Sequence, residues 1–222
     1  ENTFELKMFI ILGAGRPHIG SIHASLKKFS HSHRVLDWKL NIIKKFSKNI
    51  LFVGGYEIDK VKINYPQLNY FYNEEWETSG SAWSLLNSPF DSQKDIIVSY
   101  ADIVFNEKTL STLISKDDPI TIVVDTKWEN RYIFRKKSDL SRCEKVILDN
   151  KKVKQLTRKL LKDEQNAEFI GLVKFNSQAV RYLSQLNIND RQKLRKSHLS
   201  ELIEFLRLKG LAVKFLDIKG DW

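Results

Sequence analysis

A short apolar segment near the start of the chain ends abruptly in small residues and an arginine. Residues 8–12 read Met-Phe-Ile-Ile-Leu, and they are followed by Gly13, Ala14, Gly15 and Arg16. A short, β-branched run that is bounded by glycine is typical of a buried strand. Glycine lets the backbone turn tightly, and open N–H groups beside a guanidinium make a cradle for phosphate oxygens. The segment therefore predicts a phosphate-binding loop at the carboxyl edge of a parallel sheet.

Two known phosphate-binding sequences fit this loop only in part. The dinucleotide fingerprint G-x-G-x-x-G matches Gly13 and Gly15, but His18 occupies the position of its third glycine. The P-loop pattern fits Gly15 and Gly20, but Ser21 stands in place of the lysine that reaches the terminal phosphates. An ordinary turn after a strand therefore stays open as the alternative.

A single aspartate follows a second buried run. Residues 95–100 predict a strand, and Asp102 comes two positions after its end. Its carboxylate would emerge at the carboxyl edge of the sheet, where a hard oxygen ligand suits Mg²⁺. From these residues alone, a solvated or helix-capping aspartate is the alternative.

Composition and charge restrict the class of function. Of the 222 residues 42% are hydrophobic, and thirteen Phe, seven Tyr and five Trp argue against disorder. No apolar stretch is long enough to cross a membrane. The single Cys143 fits a reducing cytosol, so we expect a cytoplasmic protein without a membrane partner.

The net charge of +10 favours an anionic partner. The sequence has no zinc-finger spacing, no helix-turn-helix signature and no RNP motif, which are the usual signs of a nucleic-acid-binding module. We therefore expect a nucleotide or a phosphorylated metabolite as the partner, and no nucleic acid.

The predicted elements alternate between strands and helices. Strands are predicted at 4–13, 50–53, 68–72, 95–100, 120–125, 169–175 and 213–218, and helices at 35–46, 82–86, 107–114, 178–186 and 199–208. Residues 144–156 predict a hairpin with its turn at 149–151. Such alternation predicts an α/β fold with three layers and a doubly wound, mostly parallel (mixed) sheet of Rossmann-like type. We expect residues 1–222 to form a single domain, as part of a longer polypeptide.

Capping residues predict three helix boundaries. Ser79 or Ser81 would cap the helix at 82–86, and Asn106 would cap the helix at 107–114. Gly210 stands at the position where glycine commonly ends a helix.

Several segments, in this order, resemble the nucleotidyltransferase family, which activates sugar phosphates, phosphocholine and phosphonates by joining them to a nucleotide. The family's L-A-A-G-x-G-x-R is similar to residues 12–16, and its second-strand glycine pair to Gly54 and Gly55. Its N-x-x-[WY]-x-x-T-x-x-x-x-S-L segment is similar to 73–85, and its G-D-[IV] to 101–103.

Two further segments resemble the phosphocholine and phosphonate cytidylyltransferase branch of that family. Residues 124–132 are similar to V-D-x-x-W-x-x-R-Y, and residues 168–171 to E-F-x-G. The similarity covers nearly the whole chain, and the ordered set of motifs is more specific than any one of them.

The resemblance implies a Mg²⁺-dependent nucleotidyltransferase that joins a nucleoside triphosphate, CTP being favoured, to a small phosphorylated or phosphonylated acceptor. It implies catalytic roles for Arg16 and Asp102, with Asp102 also holding the metal. The nucleotide-binding residues implied are Leu12, Gly13, Ala14, Gly15, Arg16, Gly55, Ser79 and Gly80, and the acceptor-binding residues are Lys127, Trp128, Glu168 and Lys159. A sugar-1-phosphate nucleotidyltransferase and a non-catalytic nucleotide-binding domain are the alternatives.

The chain also departs from the family pattern. Ala24, Ser25 and Leu26 stand where the family has P-K-x-L, so we expect Lys27 or Lys28 to replace the missing lysine. The family's W-x-E-x-D motif would begin at the final tryptophan, and its second metal-binding acid is therefore expected beyond the given residues.

Overall fold

Strands and helices alternate through most of the chain in the computed structural model, which describes residues 8–18, 20–131, 143–150, 152–158 and 166–221. The strands are β1 (Met8–Gly13), β2 (Ile50–Gly54), β3 (Asn69–Tyr72), β4 (Ile96–Tyr100), β5 (Ile120–Asp125), β6 (Lys145–Asp149), β7 (Lys152–Thr157), β8 (Asn166–Phe175) and β9 (Val213–Asp217). The α-helices are α1 (Val35–Ile43), α2 (Ile58–Asn64), α3 (Ser81–Asn87), α4 (Glu107–Ile114), α5 (Ser177–Ser184), α6 (Ile188–Lys193) and α7 (Leu199–Leu208). Short 3₁₀ turns lie at Ala24–Leu26 and Trp128–Arg131.

The strands form one mixed sheet in the order β3-β2-β1-β4-β8-β5-β9, with the β6–β7 hairpin attached to β8. The pairs β1–β2, β2–β3, β1–β4 and β5–β9 are parallel, whereas β8 is antiparallel to β4, β5 and β6. The chain leaves β1 for β2 on one side and returns to β4 on the other. A reversal of this kind opens a crevice at the carboxyl edge, where α/β sheets bind their ligands.

Helices cover both faces of the sheet and give the fold its three layers. One face is covered by α3, α5 and α7, and the other by α1, α2 and α4. Successive residues of β1 enter opposite cores, since Ile10 packs on the first face and Phe9 and Ile11 on the second. A strand that is buried on both faces needs apolar side chains at every position, and this explains the continuous apolar run near the start of the sequence. The predicted α/β fold with a mixed, doubly wound sheet is confirmed.

Most predicted elements are present with small differences at their ends, although residues 4–7 lie outside the described part of the chain. The hairpin is confirmed, with Asn150 in the left-handed region (φ 45°), while Lys151 is outside the described residues. Asn106 caps α4 by accepting from the Thr109 N–H, as predicted. Gly210 follows α7 with φ +97°, which confirms its predicted position.

The predicted cap of α3 was wrong. Gly80 is the N-cap residue, and neither neighbouring serine hydroxyl caps the helix. The Ser79 hydroxyl accepts from the Asn73 side-chain amide, and the Ser81 hydroxyl accepts from the Leu199 N–H. Both hydroxyls are therefore occupied by tertiary partners.

Two short helices were not predicted. Helix α2 follows Glu57, which has left-handed backbone geometry (φ 48°) and no side-chain capping bond, so its start carries no sequence signal. Helix α6 is capped by Asn187, which accepts from the Asp190 N–H, and that signal was available in the sequence. Within the described ranges, no helix has the length and apolar character needed to span a bilayer.

Candidate active site

The loop after β1 lies where the carboxyl ends of three parallel strands meet. The Ala101 N–H, just after β4, donates to the Leu12 carbonyl at 2.9 Å. The Tyr56 N–H, just after β2, donates to the Ala14 carbonyl at 2.9 Å. A Cβ on Gly13 would lie 2.9 Å from the Ala101 Cβ, so the two strand ends approach each other as closely as glycine allows. The structure thus brings Leu12, Gly13 and Ala14 together with the segment that carries Asp102.

The far part of the loop is open. Gly15 and Arg16 are exposed, and no acceptor among the described residues pairs with their backbone N–H groups. The Arg16 guanidinium lies over the Tyr56 ring, 5.1 Å from its centroid, and the Tyr56 hydroxyl donates to the Ser21 carbonyl at 3.0 Å. Open N–H groups beside an arginine are suited to bind the oxygens of a phosphate.

A buried histidine closes the base of the loop. The Nε2 atom of His23 lies 2.8 Å from the Gly13 carbonyl oxygen, and its Nδ1 accepts from the Ser25 N–H at 3.2 Å. Because Nδ1 accepts, Nε2 must carry the proton, and the ring is neutral. Burial lowers the pKa of His23 and keeps it neutral. Sequence reasoning missed this residue because a lone histidine has no spacing that marks its role.

The second glycine motif and the Ser79 segment are also anchored at this edge. A Cβ on Gly55 would lie 2.4 Å from the Trp76 side chain and 2.8 Å from the Ala14 carbonyl oxygen, so only glycine fits there. The Asn73 side-chain amide donates to the Ser79 hydroxyl at 3.1 Å. Asn73 itself follows β3, and its backbone N–H donates to the Gly54 carbonyl oxygen at 2.9 Å.

Gly80 faces another part of the protein. Its N–H donates to the Arg195 carbonyl at 2.8 Å, and a Cβ would lie 2.1 Å from the Ser197 carbonyl oxygen. Gly80 is therefore required by a close backbone approach, and its N–H is already used within the protein.

Asp102 is exposed at the carboxyl end of β4, one residue after Ala101. Behind this strand end lies Lys39, whose fully buried ammonium donates to the Ser99 hydroxyl at 2.8 Å and to the Tyr100 carbonyl. Burial lowers the pKa of Lys39 to about 7, and the nearby Asp102 carboxylate partly offsets that shift. Lys39 was not predicted, because a lysine on an amphipathic helix is normally read as part of the solvated face.

Asp102 offers one exposed carboxylate beside the loop, and a hard oxygen donor of this kind is compatible with Mg²⁺. No cluster of three or more His, Cys, Asp or Glu side chains able to hold a metal occurs in the described part of the chain. Mg²⁺ is usually held through one or two carboxylates together with substrate phosphates and water. An exposed carboxylate next to an open glycine-rich loop is compatible with that arrangement.

Three of the four predicted acceptor residues lie at the same edge of the sheet, beyond β8. The carboxyl end of β5 shares this edge with β4, since both strands are antiparallel to β8. There Lys127 is exposed and Trp128 is buried. Glu168, near the start of β8, is opposite Asp125 on one side and opposite Lys145 on the other. The fourth predicted residue, Lys159, lies outside the described residues.

These register pairs place three buried charged residues in one row across β5, β8 and β6. Side chains of residues directly opposite each other project from the same face of a sheet. The Asp125 carboxylate accepts from the Lys127 N–H at 2.8 Å, and the Lys145 ammonium donates to the Cys143 carbonyl at 2.9 Å. Asp125 and Lys145 were not predicted as part of the site.

Comparison with known proteins agrees with the motifs. No protein-family model matches the chain. The chain is 26% identical to the CTP:phosphoglutamine cytidylyltransferase of Campylobacter jejuni over 207 residues. The alignment covers 85% of this chain and 82% of that protein.

Solved structures share the fold. The inositol-1-phosphate CTP transferase from T. maritima aligns with a TM-score of 0.72 at 17% identity, over 97% of this chain and 86% of that one. The CTP:phosphocholine cytidylyltransferase from Streptococcus pneumoniae aligns with a TM-score of 0.65 at 14% identity, over 97% of this chain and 91% of that one. The chain therefore has the nucleotidyltransferase fold, and the resemblance to this class of enzymes that its motifs indicated is confirmed.

Proposed function

We propose that this chain is a cytidylyltransferase that joins CTP to a small phosphorylated acceptor and releases pyrophosphate. The observation that carries the proposal is the meeting of an open glycine-rich loop, an arginine and an exposed aspartate at one edge of the sheet. The cytidylyl preference is supported by the Campylobacter jejuni relative, whose name specifies CTP and a phosphorylated amino acid.

The reaction is an in-line displacement at phosphorus. A phosphate oxygen of the acceptor attacks the α-phosphorus of CTP, and a new P–O bond forms as the bond to the bridging oxygen of the β-phosphate breaks. Pyrophosphate leaves with the electron pair of that bond. Such a reaction needs positioning and charge neutralisation rather than a protein nucleophile.

The residues around the loop supply the positioning. The open N–H groups of Gly15 and Arg16 would bind the triphosphate oxygens, with the Arg16 guanidinium countering their charge. His23 fixes the loop through its hydrogen bond to Gly13. Asp102 would hold Mg²⁺, which neutralises developing negative charge on the phosphates when bound.

The acceptor would bind beyond β8. Lys127 is exposed at the end of β5 and would meet the phosphate of the acceptor. The row of Asp125, Glu168 and Lys145 is buried beneath this edge and would fix the shape of the acceptor site from inside the sheet. Trp128 is buried, so it would support the acceptor site from behind rather than line it.

A substrate matrix tests the proposal. The complete natural polypeptide is incubated with Mg²⁺, each of the common nucleoside triphosphates and a panel of phosphorylated amino-acid derivatives, amino alcohol phosphates, phosphonates and sugar 1-phosphates, and pyrophosphate release is measured. We expect release with CTP and an acceptor that carries a nitrogen group. Release only with a sugar 1-phosphate would assign the alternative activity, and nucleotide binding without release from any pair would contradict catalysis.

A further inference from the structure

Ser79 and Gly80, which are predicted to bind the nucleotide, are hydrogen-bonded to the segment that leads into α7. The N–H of Ala82 donates to the Ser197 carbonyl at 3.1 Å, in addition to the Gly80 bond to Arg195. The Arg195 guanidinium donates to the Glu75 carboxylate at 2.8 Å and to the Thr78 hydroxyl at 3.1 Å. Residues 195–197 therefore determine where the Ser79–Gly80 backbone lies.

The first turn of α7 is held by a partly buried polar pair, Tyr100 and Glu144. The Tyr100 hydroxyl donates to the Glu144 carboxylate at 2.6 Å. The other oxygen of that carboxylate accepts from the Ser200 N–H at 3.0 Å, and the Leu199 N–H reaches the Ser81 hydroxyl at 2.9 Å and the Tyr100 hydroxyl at 3.2 Å. These contacts satisfy N–H groups of the first turn that have no partner inside the helix. They also place the Glu144 carboxylate at the N-terminus of α7, where the helix dipole is positive.

A bulge and a glycine in the sheet leave space for the ring of Tyr100. The register between β5 and β8 shifts between Ile122 and Val124, opposite the stretch of β8 that contains Gly171. Gly171 has φ +84°, and a Cβ there would lie 2.3 Å from Cδ2 of Tyr100. A bulge with a glycine in this conformation makes room for the ring. Burial and the Glu144 carboxylate raise the pKa of Tyr100 well above its usual range, so its hydroxyl remains a donor.

Tyr100 thereby connects two parts of the site. It is the last residue of β4, two positions before Asp102, and it is hydrogen-bonded to the start of α7. We propose that Tyr100 and Glu144 are a positioning pair, which sets the distance between Asp102 and the Ser79–Gly80 segment without touching substrate. The inference rests on the proposed function for its effect on CTP, but the coupling itself is a property of the folded protein.

The test compares Tyr100→Phe and Glu144→Gln with Tyr70→Phe as a matched control. The Phe substitution keeps the partly buried ring and removes only the hydroxyl. Tyr70 is a partly buried tyrosine in the edge strand β3, where its hydroxyl donates to the Tyr65 carbonyl at 2.8 Å. For both site variants we expect KM for CTP to rise about tenfold, the loss expected for a buried hydrogen bond to a charged group, with KM for the acceptor unchanged. Tyr70→Phe should leave both constants unchanged.

Amide hydrogen exchange of the protein without nucleotide gives a second readout. Exchange at Ala82 and Leu199 should accelerate at least tenfold in Tyr100→Phe and remain unchanged in Tyr70→Phe. Unchanged exchange at both amides overturns the proposal whatever the activity. An equal rise in KM for CTP and for the acceptor would also overturn it, because the pair would then have only a general structural role. If wild-type protein turns over no CTP, the proposed function fails while exchange still decides the coupling. Ser81→Ala, which removes one partly buried hydroxyl of the same network, replaces Tyr100→Phe if that variant does not fold.

Discussion

The imidazole of His23 donates to the carbonyl oxygen of Gly13 across 2.8 Å and so joins the two ends of the loop that follows β1. The loop lacks the third glycine of one familiar phosphate-binding sequence and the lysine of another. Its shape is maintained by this buried hydrogen bond and by the Tyr56 contact to Ala14. A neutral histidine under the loop makes the site sensitive to acid.

His23 predicts a loss of stability below neutral pH. Because burial lowers its folded-state pKa below the ordinary value of 6.5, the unfolded chain binds more protons between those two pKa values. The free energy of unfolding should therefore fall as the pH drops below about 6.5, and this contribution should level off below the folded-state pKa. Denaturant unfolding of wild type and His23→Gln over this range measures the effect. The wild type should lose more stability than His23→Gln, whereas exposed His31→Gln should follow the wild type; parallel curves for all three would contradict a buried neutral His23.

Replacement by alanine should lower the free energy of unfolding strongly at Gly80 and hardly at all at Gly15. Gly80→Ala places a Cβ 2.1 Å from the Ser197 carbonyl oxygen, so it should destabilise the fold by roughly 2 kcal/mol. A Cβ on Gly15 meets no atom within 4 Å, so Gly15→Ala should change the free energy of unfolding by less than about 0.5 kcal/mol. Thermal and denaturant unfolding of the two variants provide the measurement. Equal stabilities would contradict the close approach of Gly80 to residues 195–197.

Lys39 predicts a second pH dependence, which runs from neutral to alkaline pH. Burial lowers the pKa of Lys39 from 10.5 to about 7, so the unfolded chain binds the additional proton between these values. The stability of the wild type should therefore rise relative to Lys39→Met as the pH increases from about 7 to about 10. Lys174→Met is the matched control, since Lys174 is also buried but forms an ion pair with Asp95 at 3.1 Å. A stability difference between wild type and Lys39→Met that does not change with pH would contradict the shifted pKa.

The local features of the fold were predictable from sequence, and the tertiary ones were not. The apolar run of β1, the Asn106 cap and the Gly210 stop depend on a few adjacent residues, and the structure confirms them. The bond between Tyr100 and Glu144 joins residues far apart in sequence, and neither has a pattern that announces it. The serines near Gly80 have the right type to cap a helix, but their hydroxyls have other partners that sequence does not reveal.

The same division holds for the candidate site. The meeting of residues 12–16 with the end of β4, next to Asp102, could be predicted because strand ends in a parallel sheet converge at one edge. Lys39 and His23 are buried beneath that edge and form hydrogen bonds to the ends of its strands. A buried charge or imidazole is recognised only when its surroundings are known. The row of Asp125, Glu168 and Lys145 depends on strand register, which the sequence of a single chain does not specify here.

A role for Asp102 in nucleotidyl transfer predicts that Asp102→Asn turns over CTP slowly. The measurement is the steady-state rate of pyrophosphate release from CTP and the best acceptor at saturating Mg²⁺, for the wild type, Asp102→Asn and the control Asp59→Asn, whose carboxylate lies on an exposed helix surface. Loss of the charge should reduce turnover on the order of a hundredfold or more, while metal-free CTP binding by Arg16 and the loop changes little. Asp59→Asn should match the wild type. Turnover of Asp102→Asn at close to the wild-type rate would contradict a metal-binding role and make Asp102 a structural residue.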